Sequence, residues 1–405
     1  MKRLDKAYNE YIILDSFRPN KSLSILDIIA QTSLSRPTVD TVIRNLEKDG
    51  IVIKDGYAES DTGRRPILWT LNGNIRYFVG IDIELPAIRI FIINMRKEKV
   101  LADTFFLNED VVDSSEHIVD ALKNIIKNCF LNKLHEDLTK IASISIGNAG
   151  IIDRKTGVSV TMHNCPNWQN VNICKELEEE FNCRIYLENV VLFMANSDRE
   201  YWCENDKTNF IYISLRSGVG AGVCINGELY GGTMGNAGHF GYIPISNPLF
   251  DYPKRLEECT DSEMIIKRMR EKGMLDPEYN STLISQELLD YLTDSISSGN
   301  EDAISILTEV ADYWAYGIAS AVCLLDIGLC VIGGLFAYIN KRNPNVGNMF
   351  LGMIRDNCQQ KYLPNRSELF DLEFAKQVTY SAAYGGALYG YDAINKQEAL
   401  FQTNV

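Results

Sequence analysis

Three things are missing from this 405-residue sequence, and each absence removes a class of protein. No two of its ten cysteines form a Cys-x-x-Cys pair, and several sit in apolar runs, the pattern of reduced core thiols in a cytoplasmic protein. The opening residues, MKRLDKAYNE, contain no apolar run, so no secretory leader is expected. There is no excess of basic residues either. The formal net charge of -14 argues against a protein that coats nucleic acid along its whole surface. Low-complexity tracts and short-period repeats are also absent. One stretch, Ile318 to Ile339, is long enough to span a bilayer and holds a single charge, Asp326. Asp326, Gly328 and the adjacent Gly333 and Gly334 cut it into a helix, a short strand and a turn, so no membrane span is expected.

What is present points to more than one domain. The length exceeds what one hydrophobic core usually supports, and charge is unevenly shared. Residues 1–75 carry 11 Lys+Arg against 10 Asp+Glu, whereas the other 330 residues carry 29 against 44. Within the near-neutral segment, residues 4–17, 24–32 and 36–49 show apolar positions at helical spacing. The third run opens with Ser35 as a candidate N-cap and Pro37 in the first turn, and it stops at Gly50. Two β-rich runs follow between residues 51 and 71, separated by a polar bend. Three helices and a hairpin are the order of a winged helix-turn-helix, a DNA-binding head over residues 1–74. In such a head the second helix of the motif enters the major groove. The candidates to meet DNA are Ser35, Arg36, Pro37, Thr38, Thr41 and Arg44, with Val39, Val42, Ile43 and Leu46 turned inward. Arg64 and Arg65 in TGRRP stand at the hairpin tip, suited to the negative potential of a narrow minor groove. The alternative is a three-helix protein-contact module with a solvated turn.

From Tyr77 onward strands and helices alternate, which implies an α/β body. FVGIDI and IRIFIIN are followed by a helix near 114–131 and the buried strand IASISIG. A second set comprises FIYISL, GAGVCI, a helical stretch at about 260–325, and LCVIGG.

The segments SRPTVDTVIRNLEKDGIV, TGRRP and FVGIDI stand in the order found in xylose and N-acetylglucosamine repressors of the ROK family of repressors, open reading frames and sugar kinases. CPNWQNVNICKELEEEFNCRIYLEN, SLRSGVGAGVCINGELYGGTMGNAG and LLDIGLCVIGGLF resemble the family's kinase body. The resemblance covers nearly the full length. It implies an actin-like, ribonuclease-H-like pair of α/β lobes, expected at 75–191 plus 383–405 and at 192–382, with an effector cleft and a homodimer or dimer of dimers.

The departures from the family pattern fall on chemistry. Where family kinases carry Asn-Asp, this chain has Asn189 and Val190. The missing Asp is their general base, a group typically worth roughly 10²- to 10⁴-fold in rate. The first phosphate loop is replaced by DIELPAIRI. There Glu84 adds negative charge and Pro86 removes an N–H donor. At the family's zinc ligands stand Tyr242 and, near an expected Cys, Arg255, which leaves Cys259 without the rest of a tetrahedral set. The resemblance maps the sugar ligands onto Asn189, His239, Tyr242 and Glu257. For His239 a hydrogen-bonded place in a glycine loop stands as the other reading. SGVGAG and VIGG remain close to the pattern, and their glycines equally suit a hairpin and a strand turn. The expectation is a cytoplasmic transcription regulator, a repressor of carbohydrate genes. It would bind double-stranded DNA and a sugar or sugar-phosphate effector, with no metal, no cofactor and no kinase activity. A kinase with an appended DNA-binding domain, and a regulator that answers to a protein partner, are the rivals.

Overall fold

A computed structural model describes the chain apart from residues 1, 18–20, 60–64, 113, 164, 234, 247–251, 280, 365–369 and 402–405. Two compact units are built from interleaved segments: Met1–Gly147, Val171–Leu187 and Gly386–Val405 in the first, Asn148–Asn170 and Glu188–Gly385 in the second. The amino-terminal segment, expected as a domain of its own, falls within the first unit.

That segment folds from local signals. It runs α1 (Lys2–Ser16), β1 (Leu23–Ser24), α2 (Ile25–Thr32), α3 (Arg36–Lys48), β2 (Val52–Tyr57) and β3 (Ile67–Leu71). The Ser24 hydroxyl accepts the Asp27 N–H while the Asp27 carboxylate accepts the Ser24 N–H, a reciprocal cap that starts α2. A left-handed Ser33 (φ 58°) ends it. Pro37 sits in the first turn of α3, where no helical acceptor awaits its missing N–H. Val39, Val42, Ile43 and Leu46 are buried, as their spacing predicts. They join Ile13, Phe17, Ile28, Val52 and Trp69 in a small core of their own under the sheet ordered β1, β3, β2.

The first unit continues through β4 (Tyr77–Glu84), β5 (Ala87–Asn94), β6 (Lys99–Phe106), α4 (Glu109–Val112), α5 (Ser115–Lys127) and β7 (Ile141–Asn148). The chain then makes a separate small sheet from β8 (Ile152–Asp153), β9 (Val158–Met162) and β10 (Cys165–Val171) before α6 (Ile173–Phe181) and β11 (Arg184–Asn189). The main sheet is ordered β11, β7, β4, β5, β6, with β4 parallel to β7 and antiparallel to β5. β4 and β7 are buried on nearly every residue, the polar Asp82, Ser143, Ser145 and Asn148 included, whereas β6 lies at the edge and is half-exposed along most of its length.

The second unit holds α7 (Val190–Glu204), β12 (Phe210–Leu215), β13 (Val219–Ile225), β14 (Glu228–Tyr230), β15 (Pro244–Ile245) and β16 (Lys254–Arg255). The helical stretch expected at 260–325 resolves into α8 (Glu257–Thr260), α9 (Ser262–Glu271), α10 (Gln286–Ser297) and α11 (Glu301–Leu325). Then come β17 (Leu329–Gly333), α12 (Gly334–Arg342), α13 (Pro344–Asn357), β18 (Asp371–Phe374) and α14 (Ser381–Phe401). The sheet is ordered β14, β13, β12, β17, β18. α7 lies directly against β13, because a Cβ at Gly222 would come 2.8 Å from the Val191 carbonyl oxygen. On the helical side, Trp314 of α11 meets Phe336 and Phe350 edge-on, and those two rings stack at 3.9 Å. The stretch from 318 to 339 is divided among α11, β17 and α12, and among the described residues no helix is long and apolar enough to cross a membrane.

α14 serves both units. In the second, Asn196 donates to the Gly385 carbonyl (2.8 Å); in the first, Tyr391 meets Phe78 edge-on at 4.9 Å.

Asp198 of α7 is buried and accepts the Lys376 and Gln377 N–H groups (2.7 and 3.0 Å), tying the helix to the segment after β18. Burial pushes its pKa up to about 6, against the pull of those two N–H bonds. A carboxyl raised in the fold binds its proton more tightly there than in the unfolded chain, so its contribution to stability falls as pH rises from about 4 to above 6. A shift of about two units corresponds to about 3 kcal/mol. Denaturant titrations across that range should show a steeper decline for the parent protein than for Asp198→Asn; equal slopes would assign the titration elsewhere.

Candidate functional site

The outward face of α3 gathers the residues expected to meet DNA. Arg36, Pro37, Thr41 and Arg44 are exposed and Thr38 is half-buried. Ser35 occupies the N-cap position without capping: its hydroxyl pairs instead with the Thr38 hydroxyl at 2.8 Å. Thr41 donates to the Pro37 carbonyl (2.7 Å), which fixes its rotamer and leaves its methyl group and a lone pair outward. Arg36, well exposed, lies 3.9 Å from a half-buried Asp40, a contact too weak to hold the guanidinium against a phosphate or a base. Arg65 is exposed, and Arg64 lies outside the described residues.

In the second unit, β11 ends and α7 begins at Asn189. The Asn189 carboxamide oxygen accepts the Val191 N–H (2.9 Å), so it caps the helix and leaves its NH₂ to donate elsewhere. Val190 is the first helical residue, 5% exposed and part of the large core. Nothing at that position can take a proton. In the first unit the turn between β4 and β5 has only Leu85 and Pro86 between the paired Glu84 and Ala87. Arg89 lies 3.3 Å from Asp82 and 2.6 Å from Glu84, so one cation is shared by two carboxylates and the turn is a tight hairpin with residual negative charge, not an open anion loop.

Around the glycine-rich strand β13 the second unit assembles a polar cluster. Gly238 (φ 92°) packs so tightly that a Cβ would overlap the Ala221 carbonyl, and this delivers His239 and the turn at 240–242. The His239 and Tyr242 rings lie 5.2 Å apart, and the Arg255 guanidinium sits 4.9 Å above Tyr242. Arg255 pairs with Glu257 (2.9 Å) and Glu258 (3.4 Å). Burial raises the pKa of Glu257, which Arg255 and then His163 partly offset. His163 and the Glu257 carboxylate both approach Gly218, each 3.7 Å from where its Cβ would be. His239, Tyr242 and Glu257 are thus brought to one cluster, which His163 and Arg255 join. Asn189 caps α7 two residues before Val191, whose side chain packs on Gly220 of β13.

The zinc set fails on its own chemistry. Tyr242 is exposed, Arg255 is a cation, and burial raises the Cys259 thiol pKa away from thiolate. No group of three or more His, Cys, Asp or Glu that could hold a metal ion occurs among the described residues.

Sequence reasoning missed the Arg154 and Glu188 pair. Arg154, in the turn after β8, threads between Gly231 and Gly235 to reach the buried carboxylate of Glu188, the neighbour of Asn189. It ties the loop before His239 to the start of α7. No local pattern announces a contact between residues so far apart in the chain.

Comparison with known proteins gives one family. The ROK family model matches residues 78–387. The xylose repressor of Caldicellulosiruptor bescii is 26% identical over 373 residues, 88% of either chain. The N-acetylglucosamine repressor of Escherichia coli O157:H7 is 25% identical over 248 residues, 60% of this chain and 58% of that one. Among solved structures, a ROK family transcriptional regulator, a homolog of the E. coli MLC protein, superposes with a TM-score of 0.78 at 18% identity, covering 98% of this chain and 99% of its own. A ROK glucokinase from Streptomyces griseus gives 0.61 at 18% identity, covering 77% of this chain and 98% of its own. The regulator's fold therefore spans nearly the whole chain, while the kinase's leaves part of it uncovered.

Replacing Arg154 by Met removes the cation from a carboxylate that is 6% exposed. The expected loss is about 3–5 kcal/mol by denaturant titration, much of it recovered in Arg154→Met/Glu188→Leu. A single variant as stable as the parent would show that the pair does not hold the loop.

Proposed function

We propose that this chain, which belongs to the ROK family, is a sequence-specific DNA-binding transcription regulator, a repressor of carbohydrate genes. Its kinase-like body serves as a sensor and does not transfer phosphoryl groups. The face of α3 carries the reading. It buries four aliphatic residues and bares Arg36, Thr41 and Arg44, the chemistry that reads guanine and thymine edges in the major groove. We assign residues 1–74 to a winged helix-turn-helix, with 75–191 plus 383–405 and 192–382 as the lobes of the body. The names of the xylose and N-acetylglucosamine repressors support the function, and the aliphatic Val190 supports a body without a general base.

The body's ligand would be a sugar or a sugar phosphate, held by Asn189, His239, Tyr242 and Glu257 with Arg255 shaping the rim. Ligand acts by preferring one arrangement of the body over another and so changing how two heads in a dimer meet DNA. Symmetric half-sites would then lie about 34–36 Å apart, or a multiple of that.

Selection of bound duplexes from a random pool should yield a two-fold symmetric motif. Arg36→Ala and Arg44→Ala should each weaken binding to it by about 1–3 kcal/mol and relax one position of the motif. With ATP and a panel of hexoses no ADP should form. Indifference to every duplex at low salt, or steady turnover of nucleotide, would overturn the reading.

A further inference from the structure

At the edge of the first unit's sheet where β4, β7 and β11 begin lies an open pocket of about 660 Å³. The Glu84–Ala87 turn, where the family pattern places a phosphate loop, lies at the other end of β4. Each of three neighbouring strands brings one cation to the pocket: Arg76 just before β4, Lys140 just before β7, and Arg184 opening β11. Among the described lining residues Glu178 is the sole carboxylate. Lys140 is held by Glu136 at 2.6 Å, and Glu136 in turn accepts the Tyr77 hydroxyl at 2.7 Å, so the lysine is fixed at the rim. Arg184 is exposed at the start of β11. Asn182 adds an amide that can donate and accept, in a left-handed turn (φ 47°) at the end of α6.

We infer that this pocket binds a small phosphorylated polyol, the phosphate facing Arg184 and Lys140 and the hydroxyls facing Asn182. The volume is that of a ligand well beyond a bare phosphate ion, and charge-assisted bonds from a guanidinium and an ammonium fit a phosphate monoester. Arg76 lies in the connection between β3 and β4, anchored where the Met95 N–H meets the Gly73 carbonyl (3.2 Å). A ligand there touches the joint that carries the DNA-binding head, so occupancy shifts DNA affinity. Binding stands independently of the DNA-binding reading; its effect on DNA rests on it.

Calorimetric titration of the full-length protein with ribose 5-phosphate, ribose and inorganic phosphate tests the site. Ribose 5-phosphate should bind one to one and weaken with added salt, and ribose should not bind. Arg184→Gln/Lys140→Gln should weaken binding roughly tenfold or more, with an unchanged thermal melt. Lys341→Gln, on the exposed side of α12, should match the parent. No heat with ribose 5-phosphate, equal affinity in the double variant, or equal affinity for ribose would overturn the assignment. Inorganic phosphate binding as tightly as the sugar phosphate would remove its polyol part. In a parallel DNA titration ribose 5-phosphate should shift affinity in the parent and not in the double variant. An unmoved DNA affinity despite calorimetric binding would remove the regulatory role. A protein that binds ribose 5-phosphate but no DNA would fail the reading of the head and leave the pocket standing.

Discussion

The close approach of α7 to β13 is the constraint on which the second unit depends. Glycine at 220 and 222 leaves the strand without side chains on this face, so that Val191 packs on Gly220 and the helix backbone and Ala195 come against Gly222. That contact fixes where β11 hands over to α7, and so where Asn189 and Val190 stand. It also fixes the path of the strand that Glu257, His163 and the loop at 238–242 pack against. With the backbone held this closely, chemistry is altered by exchanging side chains, and the fold is kept. Valine at the helix start belongs to the core, so the position contributes packing where an aspartate would contribute a proton acceptor.

Charged side chains at the first-loop turn and at the polar cluster are likewise paired within the chain. Arg89 answers Asp82 and Glu84 across a two-residue turn, and Arg255 answers Glu257 and Glu258 at the rim of the polar cluster. A group already paired must exchange that partner for a ligand, so affinity depends on the difference between the two interactions. Binding with little net gain but a large change in contacts suits a sensor, whose task is to shift a population and not to stabilise a transition state.

The amino-terminal segment was legible in the sequence because its signals are local. Ser24 and Asp27 lie three residues apart, Pro37 marks a first turn, and the buried face of α3 is a simple period. Departures from the family pattern were legible too, since Val190, Pro86 and Tyr242 differ in kind from the residues expected of a kinase or a zinc site. Contacts made only by the folded chain were not. Arg154 meets Glu188 across two glycines from a distant loop, Arg255 is a rim cation as well as a lost ligand position, and three cations converge because β4, β7 and β11 are neighbours. The breaks among α8, α9, α10 and α11 blurred because a run of helical pattern does not reveal where loops, short or long, interrupt it.

The two-unit path of α14 has a consequence for how the protein is made. Strands β4 to β7 leave the ribosome long before the residues that pack on Phe78 and against Ser143, where Gly390 of α14 leaves no room for a side chain. During synthesis the first unit therefore waits with one flank uncovered, while the amino-terminal head, whose core is self-contained, can already be complete. α14 closes that flank, and a chain broken off before it would carry a finished head on an unfinished body.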